Sequence, residues 1–187
     1  MDIYLIRHTQ TNTVKGLCYG RSDVALADSF AAEVQEIQHK LPKIYENCKV
    51  FSSPLTRCLQ LAEQFSTNVC IDPRLQEINF GDWENCRFND IEPNLLVNWT
   101  NNFVDLAPPN GESFADLCQR AGSFWHDLLI SKAEQVLVIT HAGIIRAMLT
   151  HILQLPAANA FHFQVDAGSV HKFKHINNFT YINGINL

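Results

Sequence analysis

No stretch of this 187-residue chain reaches the roughly 18 consecutive apolar residues that a membrane span requires, so nothing in it reads as a transmembrane helix. The opening residues, MDIYLIR, lack a basic run followed by a long apolar core, which argues against a secretory signal. Paired cysteines are also missing: Cys18, Cys48, Cys58, Cys70, Cys86 and Cys118 form no C-x-x-C and stand at no zinc-finger spacing with a histidine. Reduced thiols packing as small hydrophobes in a cytoplasmic protein are the expectation. Positive charge is not in excess either. The formal net charge of −5 argues against broad binding to nucleic acid or an anionic membrane, though not against a small cationic pocket for an acidic metabolite. Repeats, low-complexity tracts and linkers are absent, and residues 1–187 read as one domain. A chain of this length can bury roughly 70% of its unfolded surface and needs no covalent staples.

What is present is an alternation of strands and helices. Asp2 to Ile6 predicts a strand. Phe30 to Ile44 predicts a helix with Phe30, Val34, Ile37 and Leu41 on one face, Asp28 or Ser29 as its cap and Pro42 ending or kinking it. Lys49 to Phe51 predicts a short strand, Pro54 to Phe65 a helix capped by Ser53, and Asn68 to Asp72 another strand. Residues 76–111 form an irregular stretch around FGDWEN and Trp99, of the kind that often carries function. Ser113 to Ile130 opens with a capping-box pattern, Ser113-x-x-Asp116. QVLVIT, residues 135–140, is the most strand-like run, and its unbroken apolar character suits a central strand covered on both faces. Gly143 to Leu153 predicts a helix. The tail predicts three short strands, FHFQV, SVHKFKHI and FTYINGI, joined by turns at DAG and NN. Strands separated by helices imply a three-layer α/β/α sandwich with a mostly parallel central sheet and antiparallel strands added at one side.

Three strand ends share one difficulty. The first runs into Arg7-His8. The Lys49 strand runs into Ser52-Ser53, with Arg57 one helical turn on. QVLVIT runs into Thr140-His141, with Ala142-Gly143 opening a helix. Ligands of open α/β sheets bind outside the carboxyl ends of the strands. If these three strands are neighbours, two guanidiniums and two imidazoles converge, joined by the N–H groups of helix starts after Ser53 and near Gly143. Such a set fits a phosphoryl group: arginine matches phosphate oxygens in pairs, and a neutral imidazole can attack phosphorus. His39, His126, His151, His162, His171 and His175 have no comparable setting and read as surface or structural.

These residues carry a resemblance. LIRHTQ resembles the LxRHGE-type signature of the histidine phosphatase superfamily, the phosphoglycerate mutase-like proteins. SSPLTRCLQLA, LQEINFGDWE, NGESFADLCQR and VLVITHAGIIR are similar to further elements of that family, in its order, over about residues 1–175. The resemblance implies that His8 is the phosphorylated nucleophile. It implies that Arg7, Arg57 and His141 form the phosphate pocket and that Glu77 is the proton donor. It implies no metal and no cofactor, since guanidinium and imidazole groups supply the charge a cation would bring. Three positions depart from the pattern: Thr9 stands for Gly, Gln10 for Glu, and Val14 where relatives carry Asn, with Asn12 as a possible substitute.

CYGRSDVALA, residues 18–27, resembles a segment of the alpha-ribazole phosphatases, with Ala25 in place of Pro. That likeness implies alpha-ribazole-5'-phosphate as substrate, late in cobalamin nucleotide-loop assembly, and adds Tyr19, Gly20 and Ala142 to the substrate contacts. Tyr19, Trp83, Phe88 and Trp99 could offer flat apolar contact to a base, or simply serve as core. The alternatives are a broad-specificity small-molecule phosphatase, a phosphoglycerate mutase, a non-catalytic phosphometabolite-binding protein, or a metal site on His8, His141 and Glu77. The expected partner is a small phosphomonoester, and the sequence leaves monomer and homodimer open.

Overall fold

The computed structural model describes all of residues 1–187. Six strands form one sheet: β1 (Asp2–Arg7), β2 (Lys49–Ser52), β3 (Val69–Ile71), β4 (Gln135–Thr140), β5 (Val170–Ile176) and β6 (Phe179–Gly184). Their spatial order is β3-β2-β4-β1-β5-β6. The first four in that order run parallel, while β5 and β6 are antiparallel additions on the β1 side. The chain also forms five α-helices, α1 (Phe30–Lys40), α2 (Thr56–Ala62), α3 (Pro93–Asn102), α4 (Phe114–Ile130) and α5 (Ala142–Leu153), of which α1, α2, α4 and α5 pack on the sheet.

The alternation of side chains along a strand creates the layers. Ile3 and Leu5 of β1 and Val136 and Val138 of β4 face α4 and α5, building a core with Leu117, Phe124, Ile144 and Met148. Tyr4, Ile6, Leu137 and Ile139 point the other way and pack against Val34 and Ile37 of α1 and Cys58 and Leu61 of α2. All six residues of β4 are buried, as its uninterrupted apolar run requires. A smaller cluster, Cys18, Trp83 and Ile91 with Phe80, Phe88 and Trp99 beside it, supports the 76–111 stretch, which holds two short 3-10 turns and α3.

Several boundaries differ from the sequence expectation. The helix from Phe30 stops at Lys40 because Leu41, before Pro42, is extended (φ −91°, ψ 149°). The next helix begins at Thr56 with Leu55 as its cap residue, so Pro54 is not in its first turn. Ser53 instead turns its hydroxyl to accept from the Leu55 N–H. FHFQV is not a strand. Residues 157–162 form a 3-10 helix, and the carbonyls of Phe163 and Val165 accept from the side chains of Arg146 and Arg7 in place of a strand ladder. DAG is accordingly no hairpin, whereas NN is: Asn177 and Asn178 both have positive φ (51° and 60°) between β5 and β6. The Ser113 capping box is present with both of its hydrogen bonds. All six cysteines are free, but Cys70 and Cys86 are exposed and do not pack as core.

Candidate active site

The register of the central strands sets the site. Arg7 pairs with Thr140, and Ile139 pairs with Ile6 on one side and Ser52 on the other. Ladder bonds run one residue further, from His8 N–H to the Thr140 carbonyl and from Ser53 N–H to the Ile139 carbonyl. Arg7-His8, Ser52-Ser53 and Thr140-His141 therefore leave the sheet side by side. The imidazoles of His8 and His141 meet edge to face with ring centroids 5.1 Å apart.

His8 is buried, and its Nδ1 lies 2.7 Å from the Thr9 carbonyl oxygen. A carbonyl only accepts, so Nδ1 carries the proton and Nε2 keeps its lone pair. Burial, reinforced by the positive charges of Arg57 and Arg7, pushes the His8 ring down to about 3 against the opposing bond to Thr9. His141 is likewise held well below its ordinary range by burial first, then by His8, Arg57 and Arg7. Both rings are neutral at pH 7. His141 Nε2 lies 2.8 Å from the Ser53 hydroxyl and 3.4 Å from the Cys58 sulfur, whose thiol burial keeps protonated. Thr9 has no positive φ, so a side chain is tolerated at this position.

Arg57 is fully buried on α2. Its guanidinium donates to the carbonyls of Gly20 (2.6 Å) and Ser22 (2.9 Å) and lies 5.5 Å from the Tyr19 ring centroid. Its Nε, and that of Arg7, are buried with no protein partner. Arg7 is steered by one bond to the Val165 carbonyl (2.8 Å).

Glu77 approaches from the irregular stretch. Its carboxylate accepts from the N–H groups of Gly143 (3.0 Å) and Ile78 (3.1 Å). Only glycine permits this at 143, since a Cβ there would lie 2.2 Å from Glu77 Oε1. The backbone behind Glu77 is gripped by Arg120, which donates to the carbonyls of Arg74, Gln76 and Glu77 and pairs with Glu112 at 2.6 Å. Two expected helix-start donors are thus taken: Gly143 N–H by Glu77, and Thr56 N–H by Asp23 at 2.9 Å.

Beside Glu77 opens a cavity of about 140 Å³ lined by Tyr19, Trp99, Phe103, Phe114, Ala142 and Arg146, among others. Of the four aromatics weighed from sequence, Tyr19 and Trp99 reach it, while Trp83 and Phe88 belong to the cluster beneath. Gly20 takes part through its carbonyl on Arg57. Asn12 is not brought in: it is exposed, tied through its backbone to Ala25. Gln10 and Val14 also face solvent, outside the cluster. Sequence reasoning missed Arg146, which burial holds below its usual range against the attraction of Glu77, and whose guanidinium lies over Phe161 at 5.2 Å. Its spacing of four from Ala142 on a helix was the available signal.

The model of the histidine phosphatase superfamily, branch 1, matches residues 3–187. The chain belongs to this superfamily. It is a phosphoric monoester hydrolase. Among curated proteins it is 28% identical to the adenosylcobalamin/alpha-ribazole phosphatase of Salmonella typhimurium, over 90% of this chain and 87% of that one. It is 26% identical to a putative phosphoserine phosphatase 2 of Hydrogenobacter thermophilus, over 90% of this chain and 86% of that one. Among solved structures it resembles the alpha-ribazole phosphatase from Shigella flexneri with TM-score 0.91 and 26% identity, covering all of this chain and 96% of the other. As a histidine phosphatase the chain places its two paired imidazoles where the central strands end, with a free lone pair on His8.

Proposed function

We propose that residues 1–187 work as one catalytic domain that hydrolyses phosphomonoesters through a phosphohistidine on His8, with alpha-ribazole-5'-phosphate as the substrate. The observation that carries this reading is the state of His8: a buried, neutral ring whose Nδ1 proton is committed to the Thr9 carbonyl, flanked by Arg7, Arg57 and His141.

The chemistry follows from the geometry. His8 Nε2 attacks phosphorus, and the bond from phosphorus to the ester oxygen breaks. Arg7, Arg57 and the second imidazole stabilise the charge spread over the equatorial oxygens, which is the main contribution a protein makes to phosphoryl transfer. The Glu77 carboxyl gives its proton to the departing alkoxide. Water then attacks phosphohistidine, Glu77 takes its proton, the P–N bond breaks, and orthophosphate leaves with His8 neutral again. Guanidiniums supply the positive charge in both steps, so neither step calls on a metal ion.

Two observations support the substrate. Curated and structural relatives include alpha-ribazole phosphatases. Six of the side chains lining the cavity beside Glu77 are aromatic, Tyr19, Phe80, Trp99, Phe103, Phe114 and Phe161, and a flat heterocycle would pack against them. A cytoplasmic location fits the six free cysteines. The test is a panel of alpha-ribazole phosphate, nucleotides, sugar phosphates, phosphoserine and phosphoglycerates. Alpha-ribazole phosphate should show the highest kcat/KM, unchanged by EDTA. His8→Ala should lose at least about a thousandfold on any of them while remaining folded. Residual turnover within about tenfold would remove His8 as nucleophile. Preference for another phosphate would remove the substrate and leave the mechanism.

A further inference from the structure

Glu84 closes the FGDWE motif, yet nothing in the reaction above uses it. Its half-buried carboxylate sits in a ring of donors. Oε1 accepts from the N–H groups of Gly20 (3.1 Å), Arg21 (2.9 Å) and Phe80 (3.0 Å). Oε2 accepts from Gly20 N–H (3.0 Å), Ser22 N–H (3.0 Å) and the Ser22 hydroxyl (2.5 Å). Burial alone would raise this carboxyl, but the Ser22 hydroxyl and the Gly20, Phe80 and Arg21 N–H groups outweigh it and hold the group below its usual range.

The same short loop has a second face. While its N–H groups point to Glu84, the carbonyls of Gly20 and Ser22 point to the guanidinium of Arg57. These two carbonyls are the only hydrogen-bonding partners of that buried guanidinium. The loop lies tight against the Glu77 segment: a Cβ at Gly20 would sit 1.8 Å from the Ile78 carbonyl oxygen. One carboxylate thus fixes three successive N–H groups of a loop whose Gly20 and Ser22 carbonyls aim an arginine.

We propose that Glu84 is a positioning residue for phosphoryl transfer, acting through the Gly20–Ser22 loop to hold the Arg57 guanidinium at the phosphate. This rests on the phosphatase reading of the same site. Glu84→Gln keeps the size, removes the charge and turns an NH₂ toward N–H donors. It should weaken binding of vanadate, a mimic of the transferring group, by about tenfold or more, and lower kcat/KM for p-nitrophenyl phosphate by a similar factor, as loss of an outer-shell partner does elsewhere. In an Arg57→Met background the same change should cost less than about twofold, since coupled residues are not additive.

Equal losses in the two backgrounds would show that Glu84 merely supports the fold, and an undiminished single variant would show that it does nothing; either overturns the proposal. Should Glu84→Gln fail to fold, Ser22→Ala removes one donor of the carboxylate while leaving the loop carbonyls, and carries the same cycle with an expected loss of about threefold. A wild-type protein that turns over no phosphomonoester would defeat the phosphatase reading, whereas the vanadate cycle would still read the placement of Arg57.

Discussion

His8 and His141 lie in edge-to-face contact, ring centroids 5.1 Å apart, although 133 positions separate them in the chain (141 minus 8). Two arginines are the charges that act on both rings, and both rings are neutral. A neutral pair between cations is a poor environment for a third cation and a good one for a phosphate dianion. The pocket is thus charged for its ligand before the ligand arrives.

Glu77→Gln separates the two chemical steps. Without a proton donor, turnover of an alkyl phosphate should fall by about a hundredfold to ten-thousandfold. Nitrophenolate leaves without a proton, so phosphohistidine should still form from p-nitrophenyl phosphate and then hydrolyse slowly. Rapid mixing should show a burst approaching one nitrophenolate per protein. Equal losses on both substrates with no burst would remove Glu77 from this role.

Gly143→Ala should hurt activity more than stability. The added methyl would sit 2.2 Å from Glu77 Oε1, the mobile end of a side chain. That end can swing away, so thermal midpoints should shift little, while kcat should drop by about tenfold or more because a misplaced group loses its geometric advantage. A large loss of stability with normal kcat in the remaining folded fraction would contradict the reading.

Arg120→Lys should not be conservative. The Arg120 guanidinium serves three carbonyls and both oxygens of Glu112, with the two side chains only 15% and 12% exposed. A lysine offers a point charge that cannot span this set. Urea unfolding should show a loss of about 2 kcal/mol, the scale expected when buried acceptors lose charge-assisted partners. A change under about 0.5 kcal/mol, typical of an exposed pair, would refute it.

Acid should destabilise the protein through its buried histidines. His8 is pushed down to about 3, and His171 to about 4 by burial and Arg146, from an ordinary value of 6.5. Below that value the unfolded chain takes up protons that the folded chain refuses, so stability falls as pH falls. The loss continues to about pH 4 for His171 and about pH 3 for His8, where the folded state protonates too. Each contributes a slope of about 1.4 kcal/mol per pH unit inside its window. Urea midpoints should drop between pH 7 and pH 5, and His171→Asn should flatten the slope by one proton. A midpoint independent of pH over that range would refute it.

Local signals were legible where one physical demand dominates. QVLVIT reads as a central strand because four apolar residues in a row, Val136 to Ile139, can be covered only from both sides, and all six residues of the strand are buried. Ser113-x-x-Asp116 reads as a helix start because two side chains answer two orphan N–H groups within four residues. Asn177-Asn178 reads as a tight hairpin because both tolerate positive φ. FHFQV misled because its β-forming side chains say nothing of whether a strand edge is free. Arg7 and Arg146 claim its carbonyls instead.

The chain alone therefore determined its alternating elements, its layered class and the chemical kinds gathered at three strand ends, since these follow from local periodicity and from what guanidinium and imidazole bind. Only the tertiary structure decided that β4 lies between β1 and β2, bringing Arg7-His8, Ser53 and His141 together. It alone decided which nitrogen of His8 is free, that Asn12 stays outside, and that Glu84 and Arg57 grip opposite edges of one loop. Register, tautomer and loop docking are set by partners far away in sequence, and no window of neighbouring residues contains them.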